Sequence, residues 1–214
     1  MRRKIIIKTN KEAEMPVEEL YRLFKAAYHN WTELGIYTPA KDTTLERFTQ
    51  DISRMMVFVA QDGVTGELLG MHALRLDKQN GRADGYNLAV SPKAKHEGIA
   101  SRMLQEEAQR LRKAGYKYMA GNTGIPATWS VKWHLKNGYY IVGYSRSEGS
   151  NYASYIFRKP IAPSLLWSRP IAPITAKLLY CLSWLATNIC KSKSGRLNWI
   201  GRMAKDVRRL MADG

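Results

Sequence analysis

Apolar and polar positions repeat at two periods along this chain, and each change of period marks an element. Residues 4–8 form a short apolar run, read as a first strand. From 17 to about 34, Leu20, Leu23, Phe24 and Ala27 recur at helical spacing, while Glu18, Glu19, Arg22 and Lys25 fall on other faces. That pattern predicts an amphipathic helix, with Pro16 suited to its first turn. After a loop at 35–39, residues 44–53 predict a second short helix. Runs at 55–60 and 67–76 read as strands joined through Asp62-Gly63 and Thr65-Gly66, a hairpin signal. The turn Gln79-Asn80-Gly81 leads into a strand carrying 84–90. A helix from Gly98 to about Lys113 follows, with Gly115 expected as its C-cap. A buried strand at 116–120, a helix at 128–136 stopped by Asn137-Gly138, and strands at 139–145 and 152–158 complete the series.

The order β-α-α-β-β-β-α-β-α-β-β predicts an α/β (α+β) domain: a mixed sheet of about seven strands with helices packed on its faces.

The segment 86–104, YNLAVSPKAKHEGIASRML, carries the clearest chemistry. Leu88 and Val90 alternate with Asn87 and Ala89, as in a strand. A Ser-Pro turn and a basic loop follow, and then Ile99, Leu104, Ala108 and Leu111 recur at helical spacing. The first N–H groups of a helix lack intrahelical partners, and the helix dipole adds positive charge there, so such a loop suits a phosphate. Gly98 allows close backbone approach, and Ala100 is nearly as small. Lys93, Lys95 and Arg102 stand near, either to face phosphates or as a solvated surface.

The loop Lys95-His96-Glu97-Gly98-Ile99-Ala100 resembles the Q/R-x-x-G-x-G/A pyrophosphate loop of the GCN5-related N-acetyltransferases (GNAT), with Lys first and Ala last. The element order is similar to that family's fold through about residue 160. Trp133-His134-Leu135-Lys136-Asn137-Gly138-Tyr139 resembles the family's Y-e-k-x-G-F signature, with His134 where Tyr is usual and Tyr139 where Phe is usual.

The resemblance implies transfer of an acetyl or other acyl group from acetyl-CoA, or another acyl-CoA, to an amine. It implies a mostly antiparallel sheet that splays beside the loop strand, with pantetheine paired to Leu88, Ala89 and Val90 opposite 118–122. The pyrophosphate would lie on the N–H groups of the loop from Lys95 through Glu97 to Ser101, and the Ser101 hydroxyl is a further donor. A backbone N–H near Val90 would polarise the thioester carbonyl. Ala83-Asp84 resembles the Ala-Glu pair that carries the general base in histone-type members, so Asp84 is the leading base. By strict alternation it would share a face with Tyr86, Leu88 and Val90. His72, on the preceding strand, is a second candidate. His134 stands where the family's proton-donating tyrosine does, with Tyr139 or Tyr140 as alternatives. Asn122 is a candidate contact to substrate or coenzyme. Each has a plainer reading as well: surface aspartate, strand histidine, core tyrosine or turn asparagine.

Net charge sharpens this picture without choosing a partner. The 214 residues include 34 Lys+Arg against 18 Asp+Glu, a formal +16, which favours acidic partners: a phosphorylated cofactor, an anionic membrane or nucleic acid. Nucleic acid is left resting on charge alone, with no stacked-aromatic basic motif or helix-turn-helix signature behind it. The two cysteines, Cys181 and Cys190, make no disulfide framework, and the start is too short in apolar residues for a signal-peptide core, so a cytoplasmic protein is expected. No cysteine occurs in 1–160, which favours direct attack in a ternary complex over a cysteine-bound acyl intermediate. His29, His72, His96 and His134 are dispersed, so no metal is expected.

Composition shifts near Pro160, dividing the chain into a 1–160 catalytic domain and a 161–214 basic tail, expected to be helical. Pro160, Pro163, Pro170 and Pro173 mark a linker. The uncharged run 178–190 is short of the roughly 20 residues that span a bilayer. Leu178, Leu182, Leu185 and Ile189, with Trp184, Trp199 and basic flanks, suit either an anionic membrane surface, contacted through 174–211 at the inner face, or packing on the domain or a partner. A membrane site would make a lipid-linked or sugar acceptor an alternative. A module that holds acyl-CoA without turnover is another.

Overall fold

The computed structural model describes residues 3–145 and 151–162. The expected 161–214 tail lies almost wholly outside the described residues.

One sheet of seven strands runs through the domain: β1 (Ile5–Thr9), β2 (Met56–Asp62), β3 (Leu68–Asp77), β4 (Arg82–Val90), β5 (Tyr118–Gly124), β6 (Tyr140–Ser145) and β7 (Ser154–Pro160). Their order is β1-β2-β3-β4-β5-β7-β6, with only β4 and β5 parallel. The mixed, mostly antiparallel seven-strand sheet expected from the sequence is therefore present. The helices are α1 (Asn10–Ala13), α2 (Val17–Glu33), α3 (Leu45–Ser53), α4 (Ile99–Lys113) and α5 (Thr128–Lys136). The short α1 was not expected. Its Thr9–Glu12 capping box explains it.

Two cores sandwich the sheet. Leu20, Phe24, Phe48 and Ile52 of α2 and α3 pack with Val59, Met71 and Ala89 on one face. Ile99, Met103, Leu104 and Leu111 of α4 pack with Phe58, Leu74, Ala83 and Met119 on the other, together with Tyr139 and Phe157. Helix α4 ends at Ala114 as C-cap, and Gly115 follows in the left-handed conformation (φ 86°), so the glycine sits one place beyond its expected position.

One feature of β4 departs from strict alternation. Met71 pairs with Ala89 and Ala73 with Tyr86, so Asn87 and Leu88 together face His72. Asn87 is left-handed (φ 53°), which makes this a bulge. The extra residue reverses the phase of everything beyond it. Tyr86 packs on the α2 side, while Val90 packs on the α4 side. Asp84 thus shares a face with Tyr86 but not with Val90.

Candidate active site

The parallel ladder between β4 and β5 covers three rungs, Arg82↔Tyr118, Ala83↔Met119 and Asp84↔Ala120. Beyond them the strands part. Gly85–Val90 continue against β3 and Gly121–Gly124 against β7, leaving a fork between. Backbone groups of a strand point alternately to its two edges, so β4 past Asp84 offers half of its polar groups to this fork. Leu88, Ala89 and Val90 lie along it.

After β4, Ser91 and a 3-10 turn (Pro92–Ala94) lead to the loop, where Lys95, His96, Glu97 and Gly98 are exposed. His96 (φ 68°) and Gly98 (φ 76°) are both left-handed, and alternation of this kind turns successive N–H groups into an anion-binding concavity. Gly98 is the N-cap of α4 and makes no side-chain cap, and α4 has no acidic residue in its first turn. The N–H groups around Ile99, Ala100 and Ser101 therefore meet no competing side-chain carboxylate from the helix itself. Ile99 is buried as an anchor. Ser101 Oγ accepts from Trp133 Nε1 (3.1 Å), which fixes the loop to α5 and leaves the hydroxyl proton to donate. Glu97 lies 3.6 Å from Arg3, and Arg102 donates to the Ile5 carbonyl (3.3 Å), so that cation is tied to β1.

The two faces of the fork carry different chemistry. On the α2 side stands Asp84, with Oδ2 3.1 Å from Arg82 and 3.5 Å from Arg75. Arg75 also lies over the Tyr86 ring, 5.1 Å from its centroid. Asn122 is exposed. An aromatic group collects here toward the open end. Tyr28 Oη donates to the Leu88 carbonyl (3.4 Å), and burial pushes the phenol up to about 12. Trp31 packs on Tyr28 (5.4 Å) and meets the half-exposed Trp129 edge-on (5.6 Å), while Tyr152 packs against Gly124.

On the α4/α5 side two imidazoles stand over the base of the fork. His134 is stacked on Phe157 (4.5 Å) and crossed by Tyr139 (5.1 Å). Its Nδ1 donates to the Ser130 carbonyl (2.8 Å), which leaves Nε2 as the bare nitrogen, directed toward Gly121. Burial lowers its pKa to about 4. At neutral pH this residue is uncharged, so it can hand a proton to a thiolate only after receiving one, which differs from a resting acid. Tyr139 is buried behind it, and burial pushes its phenol far above the ordinary range. It forms the wall under His134 rather than the lining of the fork. His72 reaches Gly85 with Nε2 and pairs through Nδ1 with Glu107 Oε2 at 2.9 Å. Glu107 is fully buried. Sequence reading missed it, although its spacing from Leu104 and Leu111 sets it on the apolar stripe of α4.

Among the described residues, no group of three or more His, Cys, Asp or Glu is gathered as a metal site, and no helix is long and apolar enough to cross a membrane.

Residues 17–139 match the model of the acetyltransferase (GNAT) family, more than half of the chain, and the chain belongs to that family. Acyl transfer from coenzyme A to an acceptor is the chemistry that membership brings. A search of curated proteins found no match. Similar solved structures include the ribosomal-protein-S18-alanine N-acetyltransferase from Escherichia coli, at 14% identity and TM-score 0.60, covering 75% of this chain and 96% of that one. An acetyltransferase from Bacillus subtilis in complex with CoA aligns at 17% identity and TM-score 0.55, covering 73% and 99%. IAA acetyltransferase from Bacillus cereus aligns at 14% identity and TM-score 0.52, covering 73% and 99%. At such identities the likeness is one of fold.

Proposed function

We propose that this chain is an acyl-CoA-dependent N-acyltransferase in which an amine attacks the thioester directly. One observation carries the reading: the strands part immediately after Asp84↔Ala120, beside a helix N-terminus whose N-cap glycine makes no side-chain cap. The diphosphate of acetyl-CoA rests on the N–H groups from Lys95 to Ser101. Pantetheine runs along Leu88–Val90, and the thioester carbonyl is polarised by a fork-facing N–H of β4. Asn122 borders the same cleft.

The acceptor approaches from the α2 side, past Tyr28, Trp31 and Trp129. A free alkylamine is mostly protonated at neutral pH and must lose a proton before it attacks. Asp84 receives that proton, and Arg75 and Arg82 hold its carboxylate in place. The thiol leaves on the opposite face, where His134 passes on a proton. The absence of cysteine from 1–160 accords with a ternary complex.

The 1–160 segment would then be the catalytic unit, and the basic 161–214 tail a device for an anionic membrane surface at the cytoplasmic face. Flotation of the whole chain with anionic vesicles, against neutral ones, tests the tail. Calorimetry with acetyl-CoA, followed by thiol release with a panel of primary amines, tests the reaction. Heat and amine-dependent thiol support it. Heat without thiol release favours the alternative of a module that holds acyl-CoA without turnover, and no heat removes both.

A further inference from the structure

The His72–Glu107 pair is an expensive way to join a helix to a sheet. Glu107 is fully buried, and its second oxygen, Oε1, has no hydrogen-bond partner among the described residues. A buried carboxyl oxygen left unpaired costs more than its hydrogen-bonded twin returns, and an apolar pair of similar size would hold α4 on β3 at least as well. The pair also sits at a chemically pointed place. His72 Nε2 is turned onto Gly85, the first residue of β4 past the last rung shared with β5. His134 Nε2 is turned onto Gly121, the first residue of β5 past that same rung. The two imidazoles therefore flank the base of the fork on one face of the sheet.

Resting on the acyl-transfer reading above, we propose that His72 and Glu107 form a buried proton relay on the thiol side, which charges His134 as the coenzyme A thiolate departs. The proton balance closes. The amine nitrogen bonds to the carbonyl carbon, and the carbon–sulfur bond breaks with its electron pair on sulfur. Sulfur takes a proton from His134 Nε2, which takes one from His72 Nε2 through water in the fork, since no hydrogen bond joins the two rings directly, while Glu107 stays a carboxylate that balances the His72 imidazolium. The entering ammonium sheds two protons in becoming an amide. Asp84 receives the first, both pass on to solvent, and His72 regains one from there. His134 is the residue that meets sulfur, and His72 and Glu107 act through it as positioning residues.

The surroundings of the pair suit this role. Helix α5 contributes His134, the residue before β6 is Tyr139, and β7 contributes Lys159. From β2 the residue opposite His72 is the apolar Phe58, and on β4 the His72 ring lies against Gly85. The negative charge of Glu107 adds to burial in keeping Tyr139 protonated. Lys159 donates to the Asn137 carbonyl (2.7 Å), and burial lowers its pKa against the pull of Glu107. A positive charge on His72 adds to burial in keeping His134 free of a second proton at rest, so the relay is poised to deliver only when a stronger proton acceptor, the thiolate, appears.

The test uses the full chain, acetyl-CoA and an amine that the wild type acetylates, with thiol release followed across the pH range in which the chain stays folded. In His72→Gln and, separately, Glu107→Gln, kcat should fall by about 100-fold, the scale of a lost proton transfer. KM and the calorimetric affinity for acetyl-CoA should stay at wild-type values. Wild-type kcat in either variant, or a fall in kcat that KM and acetyl-CoA affinity share, overturns the relay, whether or not their melting temperatures drop, since a merely structural pair would not lower kcat alone. Absence of acetyl-CoA binding or turnover in the wild type removes the transfer reading itself, a different and recognisable failure.

Discussion

Gly85 and Gly121 are the first residues of β4 and β5 past their last shared rung, and each has an imidazole nitrogen on the side where a Cβ would stand. A Cβ on Gly85 would lie 2.6 Å from His72 Nε2, whereas one on Gly121 would lie 3.9 Å from His134 Nε2. The two sites should answer the same change differently. His72 is held by Glu107 and cannot swing aside freely, so Gly85→Ala should cost about 1–3 kcal/mol, the usual price of overpacking. Gly121→Ala meets only ordinary contact and should be neutral or gain about 0.5 kcal/mol from the stiffer unfolded chain. Denaturant midpoints of the two variants check the contrast.

His134 ties stability to pH. Its imidazole titrates at about 4 in the fold, against 6.5 ordinarily, because burial disfavours the charge. Below 6.5 the unfolded chain takes up a proton that the folded chain refuses until about 4. The stabilisation is therefore complete above the upper value and lost as pH falls through the lower one, by about 3 kcal/mol in all. His134→Phe should flatten the acid side of the stability curve by that amount, as read by urea unfolding at a series of pH values.

Asp84 gives a kinetic signature. Asp84→Asn keeps the volume and removes the proposed proton acceptor. At neutral pH the rate should drop by about 100-fold. The deficit should shrink as pH rises toward the pKa of the acceptor amine, because the substrate then arrives already deprotonated. A pH series of kcat/KM for variant and wild type separates this from loss of the Arg75 and Arg82 pairs, which would give a deficit independent of pH.

Gly98 isolates the donor site. Nothing lies within 4 Å of its absent Cβ, yet φ is +76°. Gly98→Ala should therefore suffer backbone strain alone, costing about 1–2 kcal/mol. The strain falls on the loop whose N–H groups are proposed to hold the diphosphate. Acetyl-CoA affinity should drop in calorimetry more than the melting temperature would suggest.

Much of this arrangement is legible in the sequence, and the illegible parts have physical reasons. Helix α5 matches its expected bounds because Asn137-Gly138 stops it, and α4 begins one residue after the expected Gly98. The placing of β7 between β5 and β6 is a matter of distant pairing that no local period encodes. The bulge at Asn87 was hidden because apolar alternation continues through it while the faces exchange. Glu107 was hidden by its neighbour. Glu106 pairs with Arg110 at the surface (2.8 Å), and two adjacent glutamates read as one solvated patch unless the stripe through Leu104 and Leu111 is followed residue by residue. The tyrosine-to-histidine change at 134 was visible, but the burial that leaves the ring uncharged belongs to Phe157 and Tyr139, which arrive from elsewhere in the chain.

The bulge at Asn87 has a bearing on inhibitor design. Since it lets one strand show opposite faces to opposite ends of a single cleft, a ligand threading that cleft touches two separate walls in turn. A compound that tethers an amine to the sulfur of coenzyme A by a short bridge would engage both walls together, and should hold on far longer than either half offered separately.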